Sequence, residues 1–187
     1  MVKTTDIAPG LLASAPSLRD PPFDRSLVLL ARHDEDGALG LIINKPLDIN
    51  LDALLSRMGM KVPASGAERP VLFGGPVSPD VGWLISGQPA SHEDGHLFLT
   101  DGLYLSSNRV QLEKTLASSD DSPFYLCLGY AGWGPLQLDS ELAQGAWIPC
   151  DLNLALVFEV PFERRWERAL RGQGVDPGCV GSGPFLA

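Results

Sequence analysis

Residues 124–142 read FYLCLGYAGWGPLQLDSEL. An apolar run over residues 124–128 is followed by the glycine-rich segment Gly129–Gly134, and an amphipathic segment begins near Pro135. This order predicts a strand, a glycine loop and a helix. Glycines allow the backbone to turn sharply or to approach a ligand closely, and the start of a helix presents unpaired N–H groups. The stretch therefore predicts a ligand-binding face.

The glycine loop has two interpretations. Its spacing is G-x-x-G-x-G, whereas dinucleotide sites use G-x-G-x-x-G. In the first interpretation, Gly132 lets a nucleotide or another anion come close, and Tyr130 and Trp133 offer flat aromatic surfaces. In the second, the loop is a tight turn filled by these aromatic side chains. A second glycine turn, Gly74-Gly75-Pro76, is open to the same two interpretations, a sharp turn or a backbone contact to a ligand.

The composition is that of a globular protein, with 44% hydrophobic and 20% charged residues among 187. This length accommodates one well-buried core and is short for two. We predict a single domain over residues 1–171 and a Gly/Pro-rich tail over residues 172–187.

The charge and the cysteines narrow the functional class. The chain carries 14 Lys and Arg against 23 Asp and Glu, a formal net charge of -9. Such a chain repels phosphate backbones and anionic lipid, so direct nucleic-acid binding is disfavoured. No run approaches the roughly 20 apolar residues of a membrane span, and no signal-peptide core is present. The three cysteines lack a C-x-x-C pair, which predicts reduced thiols. We expect a cytoplasmic protein that binds no metal and no cofactor.

Short apolar runs separated by turn residues predict most of the fold. Asp36-Gly37 and Asp101-Gly102 each lie between two apolar runs, which is a strong hairpin signal. The apolar run Leu154–Glu159 predicts another strand. Amphipathic patterns predict about four helices, over residues 50–58, residues 107–117, the segment after Pro135 and residues 161–171. Because hairpins dominate without βαβ alternation, we predict an α+β fold with a mixed, largely antiparallel sheet.

Arg25 and His33 flank the first predicted hairpin strand and are an even number of residues apart. On a regular strand they would project from the same face, where a guanidinium and an imidazole can hold a carboxylate or a phosphate. Asn44 or Lys45, at the end of the paired strand, would complete this set. The alternative is structural: Arg25 anchors a buried carboxylate, and His33 caps the turn through a neighbouring aspartate.

A series of short motifs in a fixed order resembles the AlgH/YqgE family of bacterial proteins over nearly the whole chain. The motifs are Leu18-Arg19-Asp20-Pro21 with Phe23, Arg25 and Ser26, then His33 with Gly37–Gly40, Asn44-Lys45-Pro46, Gly74–Val77, Gly129–Gly134 with Gln137-Leu138, Trp147, Asp151-Leu152-Asn153 and Arg165-Trp166. The resemblance implies a single-domain α+β fold in a cytoplasmic protein. It implies no particular reaction, because the family carries the label of a transcriptional regulator without a settled biochemical activity.

Three functional hypotheses follow from these observations. The first is a non-catalytic protein with a regulatory role that binds a small anionic ligand or a protein partner, through Arg25, Ser26, His33, Asn44, Gly74, Gly75, Pro76, Tyr130, Gly132 and Trp133. The second is an enzyme acting on a small anionic substrate, with His33 as general base and Arg25 as anion clamp. The third is a protein-interaction module that uses the loop over residues 87–95 or the tail.

Overall fold

Ten strands and five helices form the computed structural model, which describes residues 7–60, 69–89, 96–118 and 121–178. The strands are β1 (Gly10–Ser14), β2 (Leu27–Asp34), β3 (Gly37–Ile42), β4 (Pro46–Asn50), β5 (Pro70–Phe73), β6 (Val77–Ser86), β7 (His96–Thr100), β8 (Leu103–Ser106), β9 (Phe124–Trp133) and β10 (Trp147–Cys150). The helices are α1 (Leu51–Arg57), α2 (Arg109–Ala117), α3 (Gln137–Ala143), α4 (Leu154–Phe158) and α5 (Phe162–Gly172). The predicted α+β class is confirmed, with five described helices instead of about four. Of the interaction segments proposed from the sequence, residues 90–95 and 179–187 lie outside the described residues.

The long strand β9 lies at the centre of the sheet. The strand order is β10-β1-β2-β3-β9-β6-β8-β7, with β4 and β5 off this path. On one side β9 pairs with β6 from Phe124 to Tyr130. On its other side β9 pairs first with β5, in parallel, and then with β3, antiparallel. The sheet is thus mixed and mainly antiparallel, and a single strand joins its two halves.

Both predicted hairpins are present. Gly37 and Gly102 adopt φ values of +126° and +77° in the two turns, a range that glycine occupies without steric cost. The two strands of the first hairpin, β2–β3, are continuously apolar runs, which predicts a hairpin covered on both faces. Leu29 and Leu41 belong to one buried apolar cluster, whereas Val28 and Ile42 belong to another on the opposite face. This expectation is confirmed.

Three apolar clusters hold the helices on the sheet. The first contains Trp166 and Leu170 of α5 together with Val157 of α4, packed on the strands around β1 and β2. The second contains Leu138 of α3 with Trp133 and Trp147. The third lies under α1 and α2, against β5, β6 and β9, and contains Leu51, Leu55, Leu84, Leu112, Leu116 and Leu126. Burial of these side chains supplies the main favourable free energy of folding.

The predicted glycine loop is wrong. β9 does not stop at Leu128 but runs on to Trp133, because its second half is hydrogen-bonded to β3, with Gly132 opposite Leu39 and Trp133 opposite Ala38. Gly129, with φ +70°, marks the point where β9 leaves β5. The following helix begins only at Gln137 and has seven residues. This segment therefore lacks the strand-loop-helix arrangement on which the predicted anion contact was based.

The predicted strand over Leu154–Glu159 is also wrong. These residues form the short helix α4, because the Asn153 carboxamide oxygen accepts hydrogen bonds from the backbone N–H groups of Ala155 and Leu156. An N-terminal cap of this kind satisfies donors that otherwise lack partners and fixes the start of a helix. None of the helices within the described ranges has both the length and the apolar character needed to cross a membrane.

Candidate functional site

The two glycine motifs face each other across one close backbone contact. A Cβ atom at Gly75 would lie 2.1 Å from the carbonyl carbon of Tyr130, and one at Gly129 would lie 2.3 Å from the carbonyl oxygen of Gly75. A Cβ at Gly74 would lie 2.3 Å from the Gly129 oxygen. No side chain fits at these distances. Residues 74–76 connect β5 to β6, which lie on opposite sides of β9, and the glycines let this connection cross β9 at Gly129. The protein's own backbone therefore occupies the space that a ligand was predicted to approach.

Beyond this crossing, β6 leaves the sheet and returns. Val77 lies opposite Tyr130 and Gly82 lies opposite Leu128, so four residues of β6, 78–81, face a single residue of β9. Ser78 has φ +47°, an uncommon conformation for a residue with a side chain. We call residues 78–81 the β6 arch. The glycine crossing fixes where this arch begins.

A cleft of about 250 Å³ lies between the β6 arch, α1 and α2, above β6 and β9. Its apolar lining consists of Leu54, Met58, Leu84, Leu112, Leu126 and Leu128. Leu84 and Leu126 are buried in the third apolar cluster, which continues beneath the cleft. Met58, at the end of α1, has 41% of its surface exposed. The cleft is therefore an apolar cavity with a firm floor on the sheet and an open side beside α1.

The polar groups of the cleft lie near the β6 arch. Ser106 is opposite Leu84 in the antiparallel pair β6–β8, so the chain after Ser106 runs toward Gly82 and the arch. The segment Ser106–Arg109 and Asp80 of the arch therefore share one end of the cleft. Ser106 accepts a hydrogen bond from the Asn108 backbone N–H, and Asn108 caps α2. The cleft thus has an apolar body and a polar end that carries both charge signs.

Arg25, Ser26 and Asn44 meet at the start of β2. The Asn44 carboxamide donates to the Arg25 carbonyl at 2.9 Å and accepts from the Leu27 N–H at 2.8 Å. The Ser26 hydroxyl, fully buried, donates to the Phe23 carbonyl. The Arg25 guanidinium lies 5.4 Å from the centroid of the Trp166 ring. These polar side chains hold the preceding segment of chain against the sheet.

Lys45 reinforces this attachment. Its ammonium donates to the backbone carbonyls of Pro22 and Asp24. Burial lowers the pKa of the Lys45 ammonium, and the nearby Asp24 carboxylate opposes this shift. The motifs around Arg25 and around Lys45 are therefore two halves of one structural contact, in which backbone carbonyls are the main acceptors.

His33 and Trp133 lie at the other end of β2, beside α3. His33 Nε2 lies 3.1 Å from a carboxylate oxygen of Asp139. One oxygen of Glu141 accepts hydrogen bonds from the indole N–H of Trp133, at 2.9 Å, and of Trp147, at 2.8 Å. Three side chains of the sheet thus hold α3 through two of its carboxylates. The sequence indicated neither carboxylate as a partner of these residues.

The ten residues of the predicted site do not converge. Arg25 and His33 are eight residues apart, which corresponds to roughly 25 Å along an extended strand. A bulge between Leu30 and Arg32 also breaks the regular alternation that would place both on one face. Tyr130 packs on the first apolar cluster, whereas Trp133 belongs to the second. Ligand binding by these residues, including the exposed Pro76 and Gly132, stays a prediction.

The cysteines of the described chain are buried. Burial raises the pKa of the Cys127 thiol to about 12 and that of Cys150 to about 11. Both thiols are therefore protonated at neutral pH, and a protonated thiol is a poor nucleophile. Cys127 is thus a small buried apolar residue of the core. The described residues contain no group of three or more His, Cys, Asp or Glu side chains arranged to hold a metal ion.

No motif of the sequence indicated the cleft. Leu54 and Met58 belong to the apolar stripe of α1, for which the amphipathic pattern predicts burial, but Leu54 is only partly covered and Met58 is exposed. The one available signal was Pro79, because proline inside a strand indicates an interrupted hydrogen-bond ladder. Pro79 belongs to the β6 arch, whose position depends on the crossing of Gly75 with Gly129. These two glycines are far apart in the chain, so no local pattern shows that they meet.

The whole chain is similar to proteins of one family. The AlgH-like family model matches residues 11–178. A UPF0301 protein of Anaeromyxobacter dehalogenans is 45% identical over 185 residues, which cover 95% of this chain and 94% of that protein. A UPF0301 protein of Paracoccus denitrificans is 37% identical over 180 residues, which cover 95% of each.

Two solved structures have the same fold. The solution structure of the AlgH protein from Pseudomonas aeruginosa aligns with a TM-score of 0.78 at 29% identity, covering 100% of this chain and 99% of that one. A crystal structure of a protein from Corynebacterium diphtheriae aligns with a TM-score of 0.66 at 23% identity, covering 87% and 85% of the two chains. The fold, the family model and the relatives agree, and the chain belongs to the AlgH-like family.

Proposed function

We propose that this protein is a non-catalytic binding protein with a regulatory role, and that the cleft between α1, α2 and the β6 arch holds a small amphipathic molecule. The observation that carries the proposal is the shape and lining of the cleft. It has an apolar body of six side chains and collects its polar groups at one end. Ligand sites are typically apolar cavities with a few placed polar groups.

The size of the cleft favours a small ligand. Pockets for drug-sized molecules have volumes of roughly 300–1,000 Å³. The cleft, at about 250 Å³, is below that range and suits a short hydrocarbon or a small ring with one polar end. Each square ångström of apolar ligand surface removed from water contributes about 25 cal/mol to binding. The unbranched Met58 side chain at the open side can adjust to different ligand shapes.

The chemistry of the lining favours binding over catalysis. The described residues around the cleft include Asp80, Ser106, Ser107, Asn108 and Arg109, and none of the lining residues is a histidine, cysteine or lysine. The Ser106 hydroxyl accepts a backbone N–H, and His96, which lies opposite Ser106 in the β7–β8 pair, is not among the residues that line the cleft. The enzyme hypothesis needed Arg25 and His33 at one site, and their separation along β2 removes its geometric support. When a ligand binds and is not converted, the ligand is unchanged and only the state of the protein differs. We therefore propose that the role is regulatory.

We further propose that this role is carried out in the cytoplasm. Cys127 and Cys150 are free thiols in the described chain, and reduced cysteines are typical of a reducing compartment.

Methyl NMR tests the cleft directly. The probes are butanol, hexanol and octanol and the corresponding carboxylic acids, titrated into the full chain. We expect saturable shifts of the Met58, Leu112 and Leu128 methyl resonances with the longer probes. Leu54→Phe places a ring in the cleft and should abolish these shifts. Ala53→Phe is the matched control, because Ala53 is exposed on the same helix and does not line the cleft.

Two results would contradict the proposal. The first is that no probe moves the cleft methyl resonances at concentrations up to about 1 mM, the range of weak specific binding. The second is that Leu54→Phe and Ala53→Phe reduce binding equally, since the effect would then come from α1 in general. Circular dichroism of both variants shows whether the fold is retained.

A further inference from the structure

A second cavity lies beside the start of β9 and the junction between α4 and α5. It shares no lining residue with the cleft. Its volume is about 370 Å³. Four aromatic rings line it, from Phe124, Tyr125, Phe158 and Phe162. We call it the aromatic groove. Arg69 and Asp121 stand among its lining residues and bring one positive and one negative charge.

The aromatic rings of the groove are held in fixed positions. Tyr125 stacks on Phe158 with a centroid distance of 6.1 Å and an interplanar angle of 18°. It meets Phe162 edge to face at 5.4 Å and 67°. The Tyr125 hydroxyl donates to the Phe158 carbonyl at 3.2 Å, which fixes both residues. Rings that are already ordered lose little conformational entropy when another flat ring packs on them.

Arg69 supplies an available guanidinium. Its central carbon lies 4.4 Å from the centroid of the Phe124 ring, so the ring face orients the guanidinium. The described residues provide no hydrogen-bond acceptor and no ion-pair partner for this group. A guanidinium presents a planar set of N–H donors that matches the two oxygens of a carboxylate.

A second positive charge lies behind the rings. The Arg165 guanidinium is 4.3 Å from the Phe162 centroid and 5.2 Å from that of Tyr125. The side chain is buried, and its acceptors are the carbonyls of Val160 and Ile43 and the hydroxyl of Tyr125. None of these acceptors carries a negative charge, and the nearby Glu163 carboxylate offsets only part of the charge of Arg165, so the remainder adds to that of Arg69 at the groove.

We propose that the aromatic groove binds a small aromatic carboxylate. The ring of the ligand packs against Phe158 and Phe162, and its carboxylate pairs with the guanidinium of Arg69. The exposed Asp121 carboxylate lies at the rim, where it accepts a hydrogen bond from an ammonium group if the ligand has one. The shared chemistry is therefore an aryl group and a carboxylate, supplied by an aromatic amino acid or by an aryl acid without an amine.

Isothermal titration calorimetry with the full chain tests the aryl and carboxylate requirements. The probes are indole-3-propionate, L-tryptophan, octanoate as an aliphatic carboxylate, and indole-3-propanol as a neutral aryl compound. We expect the aryl carboxylates to bind at least about tenfold tighter than indole-3-propanol, because one charge-assisted hydrogen bond is worth about a factor of ten or more. They should also bind tighter than octanoate, which has no ring to pack on Phe158 and Phe162. Aromatic NMR resonances of Phe158 and Phe162 should shift with the bound probes.

Arg69→Gln should weaken binding of the aryl carboxylates at least about tenfold and leave indole-3-propanol unchanged. Arg171→Gln is the matched control, because Arg171 is an exposed arginine of α5 outside the groove. Asp121→Asn separates the two sources: loss of a preference for L-tryptophan identifies an amino acid, and no preference identifies a plain aryl acid.

The proposal is overturned if octanoate binds as tightly as the aryl carboxylates, or if Arg69→Gln and Arg171→Gln weaken binding equally. It is also overturned if a saturating concentration of probe does not change the chemical shifts of Phe158 and Phe162 in the unmodified protein. This measurement does not depend on the folding of any variant.

Discussion

Gly129 and Gly145 have almost the same backbone conformation in different surroundings. Their φ values are +70° and +72°. A Cβ atom at Gly145 meets nothing within 4 Å, whereas one at Gly129 lies 2.3 Å from the Gly75 carbonyl oxygen. The two positions therefore separate the cost of a left-handed backbone from the cost of a blocked strand crossing.

We expect Gly145→Ala to lower the free energy of unfolding by about 1 kcal/mol, the cost of a left-handed alanine. Gly129→Ala should lower it by roughly 2 kcal/mol more, because the methyl group also forces the crossing strands apart. Urea unfolding followed by circular dichroism measures both. If the two variants lose the same stability, the crossing tolerates a side chain and the glycines there need another explanation.

Some single residues could be assigned from the sequence because their role is local. Residue type alone predicts a helix cap at Asn50 and another at Ser107 or Asn108. The carboxamide oxygens of Asn50 and Asn108 accept backbone N–H groups at the starts of α1 and α2. Trp133 was instead predicted to contact a ligand. Its partner is the carboxylate of Glu141, and only the return of α3 onto the sheet brings the two together.

At the level of elements, α3 depends on its carboxylates. The helix has seven residues and no side-chain cap at its start. Isolated helices of this length are unstable in water, so tertiary contacts must hold it. The Glu141 carboxylate receives two indole N–H groups, and Leu138 is the one α3 side chain of the buried second cluster.

We expect Glu141→Ala to lower the free energy of unfolding by about 2 kcal/mol or more, because two hydrogen bonds to a charged acceptor are lost and two indole donors stay partly buried. Gln144→Ala, at the exposed C-terminal cap of the same helix, should cost about 0.5 kcal/mol or less. Urea unfolding followed by tryptophan fluorescence compares the two. Equal losses would mean that helix propensity, and not the indole pair, stabilises α3.

Elements were predictable where the signal lies within a few residues. The hairpins at Gly37 and Gly102 follow from Asp-Gly turns, and α5 follows from its apolar stripe after Pro161. The apolar segment Leu154–Phe158 is compatible with a strand or with a helix. The cap at Asn153 favours the helix. The glycine-rich end of β9 is a strand only because β3 pairs with it, a contact between residues far apart in the chain.

At the scale of the whole molecule, the net charge of -9 is the dominant electrostatic feature. We expect no binding to duplex DNA tighter than about 100 µM at physiological salt, the weak end of non-specific association. Fluorescence anisotropy with labelled duplexes at about 50 and about 200 mM salt measures this. Affinity in the nanomolar range that falls steeply with salt would contradict the expectation and restore a direct role on DNA.

Both cavities are properties of the assembled molecule. The cleft needs α1, α2, the β6 arch and the central strand, and the aromatic groove needs β5, β9 and the junction of α4 with α5. Their linings come from segments up to about a hundred residues apart, so no local pattern predicts either one. The family motifs identified the fold, and the same motifs mark strand crossings and anchors more than they mark cavities.

The position of β1 has a consequence during synthesis on the ribosome. All five residues of β1 are buried, between β2 and β10 and beneath α5, whose Trp166 indole donates to the Ser14 carbonyl. β10 follows β1 by roughly 130 residues, which corresponds to a delay on the order of ten seconds at typical elongation rates. During that interval one edge of β1 is unpaired in the nascent chain. A chaperone that binds apolar extended segments therefore has a long time in which to bind this edge.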